Sequence, residues 1–357
     1  MSDINTLRRR LMAAAAAGAV PAAALGLAFP AHVNAQARPT INGGKPFRIY
    51  AITFRGMTDV EKGFSDHFES KKIPVEITYR DLNRDMGRMP GFLDEIRATK
   101  PDLIYTWGTS TTLGVVGPFD AVVPGKHITN IPVVFTLVAS PTLAKIVPDM
   151  KSSGRNVTGV THVGPTEAQM RAMAQYRPFQ TLGVLYTPTE RNSVVVLEDI
   201  RRIGKEMGFN VVERSFELDA GGRPIGEGSA KFVRQLKEAG AQWLYLPPDS
   251  FLGSLAESLI IPAAMQAGLP TFASTEQLMQ AGALSGLVSR YYNVGQFTGF
   301  KAEQILINKA NPSDIPVETL KRFSYQIRMP AARRLNLPPP LPMLSFAELI
   351  TTEAVIQ

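Results

Sequence analysis

The sequence predicts an α/β protein of two Rossmann-like lobes, each built on a parallel sheet. From Phe47 onward, short apolar runs rich in β-branched residues alternate with stretches of helical character, a pattern typical of βαβ units. The alternation occurs in two series of about 100 residues each, the size of an ordinary lobe or domain. The 357 residues, 45% of them hydrophobic, exceed one ordinary domain and can fill two cores.

The first series predicts four strands and three helices. The strands are expected at 47–54, 74–79, 102–107 and 132–138. The helices are expected at 59–71, 91–100 and 110–119. Apolar runs of this length, bounded by polar and turn-forming residues, favour strands that are buried on both faces.

The second series repeats the pattern. Its strands are expected at 181–186, 210–216, 242–246 and 270–273. The clearest helix is 193–207, in which apolar side chains recur every three or four residues, at Val196, Ile200, Ile203 and Met207. Gly208 follows, where a glycine commonly ends a helix.

Short connections are expected to carry the chain between the lobes, at 156–161 and 286–291. A helix at 294–308 and an apolar stretch at 323–327 would return to the first lobe and cross a third time. The first lobe would then comprise 38–158 and 291–325, and the second 159–290 and 326–340. The run Pro338-Pro-Pro-Leu-Pro-Met can form neither a helix nor a central strand, which predicts that 341–357 form a C-terminal tail at the surface.

The N-terminal segment 1–37 predicts a cleaved export signal. Three arginines at 8–10 precede an apolar, alanine-rich run, and small residues follow, with cleavage expected after Ala35 or Ala37. A membrane anchor is the alternative, which Gly18 and Pro21 within the run disfavour. The arginines also suit a twin-arginine signal, so the export route stays open.

Composition excludes several kinds of site. The chain has no cysteine, which excludes disulfides, thiolate metal sites and a cysteine nucleophile. The net charge is +7 and falls by two when Arg8–Arg10 and Asp3 leave with the signal. Because the basic residues are dispersed, no nucleic-acid partner is expected.

No cofactor or metal is expected either. Neither a phosphate-binding loop ending in Gly-Lys-Ser/Thr nor a dinucleotide fingerprint of spaced glycines occurs. His32 leaves with the signal, and His67, His127 and His162 show no metal-ligand spacing. Gly108-Thr-Ser-Thr-Thr contains a serine but lacks the closing glycine of a hydrolase nucleophile turn.

Ligand contacts are expected where strands end, since parallel sheets bind ligands beyond the carboxyl ends of their strands. Ser110 and Thr111 open a helix directly after a strand, which suits either an anion site or a simple N-terminal cap. Asp249 could balance a ligand ammonium. The other candidates are polar or aromatic residues at strand ends and crossings: Ser140, Asn192, Ser193, Thr275 and Tyr292.

Several segments together resemble the ABC transporter substrate-binding family, in the branch associated with uptake of tryptophan and other amino acids. The match covers nearly all of the mature chain. The segments are 101–110, with Pro-Asp-Leu-Ile-Tyr-Thr-Trp-Gly-Thr-Ser, and 131–135, 156–160, 183–186, 192–193 and 315–318.

The resemblance implies a type I periplasmic binding fold with three crossings and ligand binding without chemistry. It also implies a periplasmic, monomeric protein that acts with an ABC permease and ATPase. Family members usually carry Ser-Asp-Pro after the fourth strand, where this chain has Ala139-Ser140-Pro141. An acidic group of the cleft is therefore missing, and the ligand cannot be copied from the family.

The expected mechanism divides the ligand's polar contacts between the lobes, so that a bound ligand favours the closed state. Three alternatives remain at this point: an exported sensor of the same fold, an exported α/β hydrolase that uses Ser110, and an oxidoreductase. The oxidoreductase is the weakest of the three because its glycine fingerprint is absent.

Overall fold

The computed structural model describes residues 41–352 and contains two sheets. The first sheet has six strands, all parallel, in the order β11-β5-β4-β3-β1-β2. Its strands are β1 (Phe47–Thr53), β2 (Val75–Asp81), β3 (Leu103–Trp107), β4 (Val133–Val138), β5 (Val157–Thr161) and β11 (Glu318–Thr319). The first four match the expected positions to within two residues.

The second sheet has seven strands in the order β13-β12-β10-β9-β8-β6-β7. All neighbours are parallel except β10 and β12, which pair antiparallel. Its strands are β6 (Thr181–Tyr186), β7 (Asn210–Ser215), β8 (Trp243–Leu246), β9 (Thr271–Ala273), β10 (Ser285–Val288), β12 (Ser324–Arg328) and β13 (Glu348–Ile350). The predicted α/β class with two parallel-dominated sheets is confirmed.

Helices connect the strands and cover both sheets. They are α1 (Asp59–Lys71), α2 (Met89–Thr99), α3 (Gly108–Val116), α4 (Thr166–Tyr176), α5 (Arg191–Met207), α6 (Ala230–Glu238), α7 (Ser250–Leu255), α8 (Ile261–Gln266), α9 (Glu276–Gln280), α10 (Tyr291–Leu306) and α11 (Met329–Arg334). Within β1, Ile49 and Ala51 belong to one buried cluster while Tyr50 and Ile52 belong to another. Successive side chains of a strand point to opposite faces, so the first sheet is buried on both.

Helices α1 and α10 pack on each other at very short range. A Cβ atom on Gly63 would lie 2.0 Å from the carbonyl oxygen of Tyr292, and one on Gly295 would lie 2.0 Å from that of Val60. Both positions therefore require glycine. Since α10 follows β10 of the second sheet yet packs on α1, the chain returns to the first lobe at this point.

The strand pairing corrects the expected crossings. The segment 156–161, expected to link the lobes, forms β5 of the first sheet, and 286–288 lie in β10 of the second. The chain instead changes sheet after His162 and just before Tyr291. The third change lies between β11 and β12, so the expected boundaries at 158 and 325 each fall inside a strand.

The C-terminal segment also differs from expectation. Residues 341–345 form a 3-10 turn, and β13 then pairs in parallel with β12 at the edge of the second sheet. The proline run ends before this strand begins, so it does not prevent the pairing. The expected export signal lies outside the described residues. Across 41–352, no helix combines the length and apolar character needed to cross a membrane.

Candidate functional site

A cleft opens between the two sheets, at the carboxyl ends of strands from both. It contains about 730 Å³ of space outside protein atoms, counting its open mouth. The first lobe contributes Phe54, Arg55, Arg84, Trp107, Gly108, Thr109, Ser110, Thr111, Leu137 and Ala139. The connections and the second lobe contribute His162, Asn192, Pro248, Asp249, Ser250, Ser254, Thr275, Gln277 and Tyr291. The position agrees with the rule that open parallel sheets bind ligands beyond their strand ends.

The N-terminus of α3 forms one end of this cleft. Strand β3 ends at Trp107, and Gly108, with φ of 80°, turns the chain directly into the helix. This left-handed conformation favours glycine. No side chain caps the helix, so the N–H groups of its first turn are available to an acceptor in the cleft.

Two buried donors next to this helix end have no partner among residues 41–352. The Thr111 hydroxyl is fully buried, and the indole Nε1 of Trp107 belongs to a side chain that is 8% exposed. Neither makes a hydrogen bond. Since a buried polar group without a partner costs about 1–3 kcal/mol, their shared position favours a ligand acceptor at this place.

Arg55 adds a cation to the same wall; the buried Glu61 carboxylate acts on it electrostatically but forms no ion pair with it. Its guanidinium lies over the Trp107 ring, 5.1 Å from the centroid, and Phe54 stacks on the same indole at 6.1 Å. Its Nε is buried without a hydrogen-bond partner, and burial lowers the pKa of Arg55. A partly buried cation of this kind favours an anionic ligand.

The second-lobe wall is polar but internally satisfied. The Asp249 carboxylate accepts hydrogen bonds from the backbone N–H of Thr187 at 2.7 Å and of Leu252 at 2.8 Å. It also accepts from the hydroxyls of Thr187, at 2.9 Å, and Ser193. These four donors occupy the acceptor positions that a carboxylate offers.

Glu190 stabilises the same wall by binding the start of α7. Its carboxylate accepts from the backbone N–H groups of Ser250 and Phe251, both at 2.8 Å, at the start of α7. Burial, followed by the nearby Asp249 charge, raises the pKa of Glu190 to about 7. Burial likewise raises the pKa of Asp249. The Asn192 side-chain amide donates to the Pro248 carbonyl, which ties α5 to the loop after β8.

His162 and Tyr291 form the floor where the chain passes between lobes. Their rings meet edge to face, with centroids 6.0 Å apart. Burial, followed by Arg55, lowers the pKa of His162 to about 3, so its imidazole is neutral at physiological pH. Its Nδ1 is buried without a hydrogen-bond partner. Burial also raises the pKa of Tyr291, against smaller opposing effects of Arg55 and of hydrogen bonding to Thr275.

The structure brings five of the eight expected ligand contacts into the cleft lining: Ser110, Thr111, Asn192, Asp249 and Thr275. The other three lie outside that lining. Ser193 is buried beneath Asp249 and donates to it. Ser140 does not line the cleft, whereas its neighbour Ala139 does. The Tyr292 hydroxyl donates to Asp66 on α1 at 2.9 Å, because adjacent helical residues point in different directions and Tyr291 takes the position facing the cleft.

Several lining residues were not named as ligand contacts from the sequence, among them Phe54, Arg55, Arg84, Trp107, His162 and Gln277. A signal existed for several of them. Phe54 and Arg55 directly follow β1, and His162 directly follows β5, so the rule about strand ends applies to them as well. In the sequence, these side chains look like ordinary turn residues. Only their burial in the structure marks them as candidates for ligand contact.

Two further features of residues 41–352 concern metal binding and the hydrolase alternative. Between 41 and 352, no three His, Asp or Glu side chains come together in a way that could hold a metal ion. The hydrolase alternative needs a histidine bonded to Ser110. Within 41–352, His67 bonds Glu303, His127 accepts from the Val123 N–H, and the Nδ1 of His162 has no partner.

Known proteins share this architecture. A tyrosine-binding protein of Clostridioides difficile is 23% identical over 282 residues, which cover 78% of this chain and 76% of that protein. A solved ABC domain from Streptococcus pneumonia in complex with L-Trp has a TM-score of 0.74 at 21% identity, over 86% of this chain and 100% of that one. A conserved domain protein from Vibrio cholerae gives 0.73 at 22% identity, with the same coverage.

At these identities the structural matches establish the fold, and the family rests on the sequence itself. Residues 51–347 match the family described as ABC transporter substrate binding protein. That stretch includes both sheets except the first strand residues and the C-terminal strand, together with every residue of the cleft lining. The chain therefore belongs to the ABC transporter substrate-binding protein family.

Proposed function

We propose that this protein is exported and captures a small organic carboxylate with a planar group, which it delivers to the permease and ATPase of an ABC importer. The observation that carries the proposal is the cluster of unpartnered donors at the start of α3, formed by Thr111, Trp107 and Arg55. A carboxylate would accept from these groups and from the free helix N–H groups. The related proteins that bind tyrosine and L-Trp support an aromatic ligand.

Ligand capture in this proposal works by closure. A carboxylate held by the first lobe also meets polar groups of the second lobe, such as Asn192 and Thr275. Because such a ligand contacts both lobes only when they approach, it stabilises the closed state over the open one. The permease then recognises the closed protein, and the ligand leaves chemically unchanged.

Thermal unfolding of the mature protein against a ligand panel tests this function. The panel contains amino acids, aromatic acids, dicarboxylates, sugars and nucleosides. A ligand at 100 times its Kd stabilises the folded state by about 2.7 kcal/mol, so we expect a clear rise in Tm with aromatic acids or amino acids. The same compound should be recovered intact after prolonged incubation. Conversion to a product, or stabilisation by sugars or nucleosides alone, would contradict the proposal.

A further inference from the structure

The charges that line the cleft are unevenly distributed. Its lining contains two arginines, Arg55 and Arg84, and one carboxylate, Asp249. Among residues 41–352, neither guanidinium forms an ion pair or a side-chain hydrogen bond, and the Nε of Arg55 is buried without a partner. His162 faces the same space as a neutral ring. The cleft thus presents cations to a ligand and offers little to neutralise a ligand cation.

Asp249 is not available to neutralise a ligand cation, because its carboxylate oxygens already accept hydrogen bonds from its own lobe. Two backbone N–H groups and the hydroxyls of Thr187 and Ser193 occupy its oxygens, and the side chain is 5% exposed. A ligand ammonium would have to displace one of these donors, leaving it buried without a partner. Glu190 is committed in the same way to the first N–H groups of α7.

On the basis of the proposed capture function, we propose that the cleft selects aromatic carboxylates that lack an α-ammonium group. The carboxylate satisfies Arg55, Thr111 and the start of α3, while Phe54, Trp107 and Tyr291 provide aromatic surfaces for a ring. An ammonium next to the carboxylate would enter a space with two arginines and no free acceptor carboxylate. Its desolvation would be uncompensated, which disfavours the amino acid relative to the plain acid.

Calorimetric titration of the mature protein at neutral pH tests this selectivity with matched compounds. The first set is 3-phenylpropanoate, L-phenylalanine and phenethylamine, which share the ring and differ in the charged groups. The second set replaces phenyl by 4-hydroxyphenyl, and the third replaces it by indol-3-yl. In at least one set, we expect the plain acid to bind ten times or more tighter than the amino acid, with no detectable binding of the amine.

Arg55→Gln supplies the matching variant. It should weaken the preferred acid at least thirty-fold, with a much smaller effect on any amino acid, so that the preference for the acid is lost. Arg171→Gln is the control, because Arg171 is an exposed arginine paired with Glu167 on α4, outside the cleft lining. That variant should bind every compound as the unaltered protein does.

Three outcomes would overturn the inference. An amino acid that binds as tightly as its plain acid would do so while leaving the capture function intact. Failure of all three acids to bind would also overturn it, and the thermal panel then decides separately whether another class of ligand is captured. Unchanged acid affinity in Arg55→Gln would remove the cation on which the selectivity rests.

Discussion

The two walls of the cleft handle their polar groups in opposite ways. On the first-lobe wall, Thr111, Trp107 and Arg55 carry buried donor atoms without partners. On the second-lobe wall, Asp249 accepts four hydrogen bonds from Thr187, Ser193 and Leu252. From this difference we infer that the first wall makes most of the ligand contacts, whereas the second wall is a preorganised surface against which the first one closes.

The contrast also changes the role expected for Asp249. From the sequence, its carboxylate at a strand end suggested a partner for a ligand ammonium. In the structure it caps the start of α7 and joins that helix to the loop after β6. Asp249 is therefore a stabilising residue of the wall, and its removal should be felt in folding more than in binding.

The largest effect on stability is expected from Asp249→Asn, which disrupts the hydrogen bonds of the second-lobe wall. The new amide keeps one acceptor oxygen and places an NH₂ where donors now converge, so at least two buried donors lose their partner. We expect the free energy of unfolding to fall by about 3 kcal/mol, measured by urea denaturation. Asp199→Ala is the control, since Asp199 pairs with Arg202 on the exposed face of α5, and it should change stability by no more than about 0.5 kcal/mol.

His162→Gln tests the floor between the walls through its pH dependence. The folded pKa of about 3 lies below the ordinary value of 6.5, so the unfolded chain binds the proton more readily between these values. Stability from this group is complete above pH 6.5 and is lost as the pH falls, by about 2 kcal/mol at pH 5.

The variant should lack this loss. Its stability relative to the unaltered protein should therefore improve by about 2 kcal/mol when the pH is lowered from 8 to 5. The raised pKa of Glu190 acts in the opposite direction, making stability fall as pH rises from 4.5 toward 7. That effect is common to both proteins and cancels in the comparison. A parallel pH dependence of the two proteins would show that His162 is not held neutral.

The smallest effect on stability is expected from Thr111→Val, which can be compared with Thr112→Val in the same turn of α3. Thr111→Val removes a hydroxyl that has no protein partner, so stability should stay within about 0.5 kcal/mol, while ligand affinity should fall five- to ten-fold. Thr112→Val removes a hydroxyl that donates to the Gly108 carbonyl at 2.7 Å and meets Thr106 at 2.9 Å. It should cost about 1 kcal/mol of stability. Equal losses of stability in the two variants would show that the Thr111 hydroxyl has a partner within the protein, and an unchanged ligand affinity in Thr111→Val would remove Thr111 from the site.

The sequence was sufficient for the fold because the apolar periodicity is strong. The helix α1 matches its predicted bounds, and β6 does too. The expected crossings at 156–161 and 286–291 overlap two short strands, Val157–Thr161 and Ser285–Val288, that were not predicted, although the second range still includes residues 289–290 between β10 and α10. Gly159 lies where a Cβ atom would come within 2.3 Å of Phe135, a close approach that only three-dimensional pairing reveals.

The candidate site was predictable in position and less so in detail. Strand ends located Ser110, Thr111, Asn192, Asp249 and Thr275 within the cleft lining. Their roles depend on burial and hydrogen bonding, which a single sequence does not contain. Asp249 and Thr111 look equally available in the sequence, and only the contacts of Thr187 and Ser193 distinguish a satisfied carboxylate from an unpartnered hydroxyl.

The most direct test of the contrast measures two quantities for Thr111→Val and Asp249→Asn: the Kd for the ligand that the thermal panel identifies, and the free energy of unfolding in the same buffer. We expect Thr111→Val to weaken binding at unchanged stability, and Asp249→Asn to lower stability while the folded protein binds within a few-fold of the original Kd. A Kd that collapses in Asp249→Asn and is unaffected in Thr111→Val would contradict this expectation.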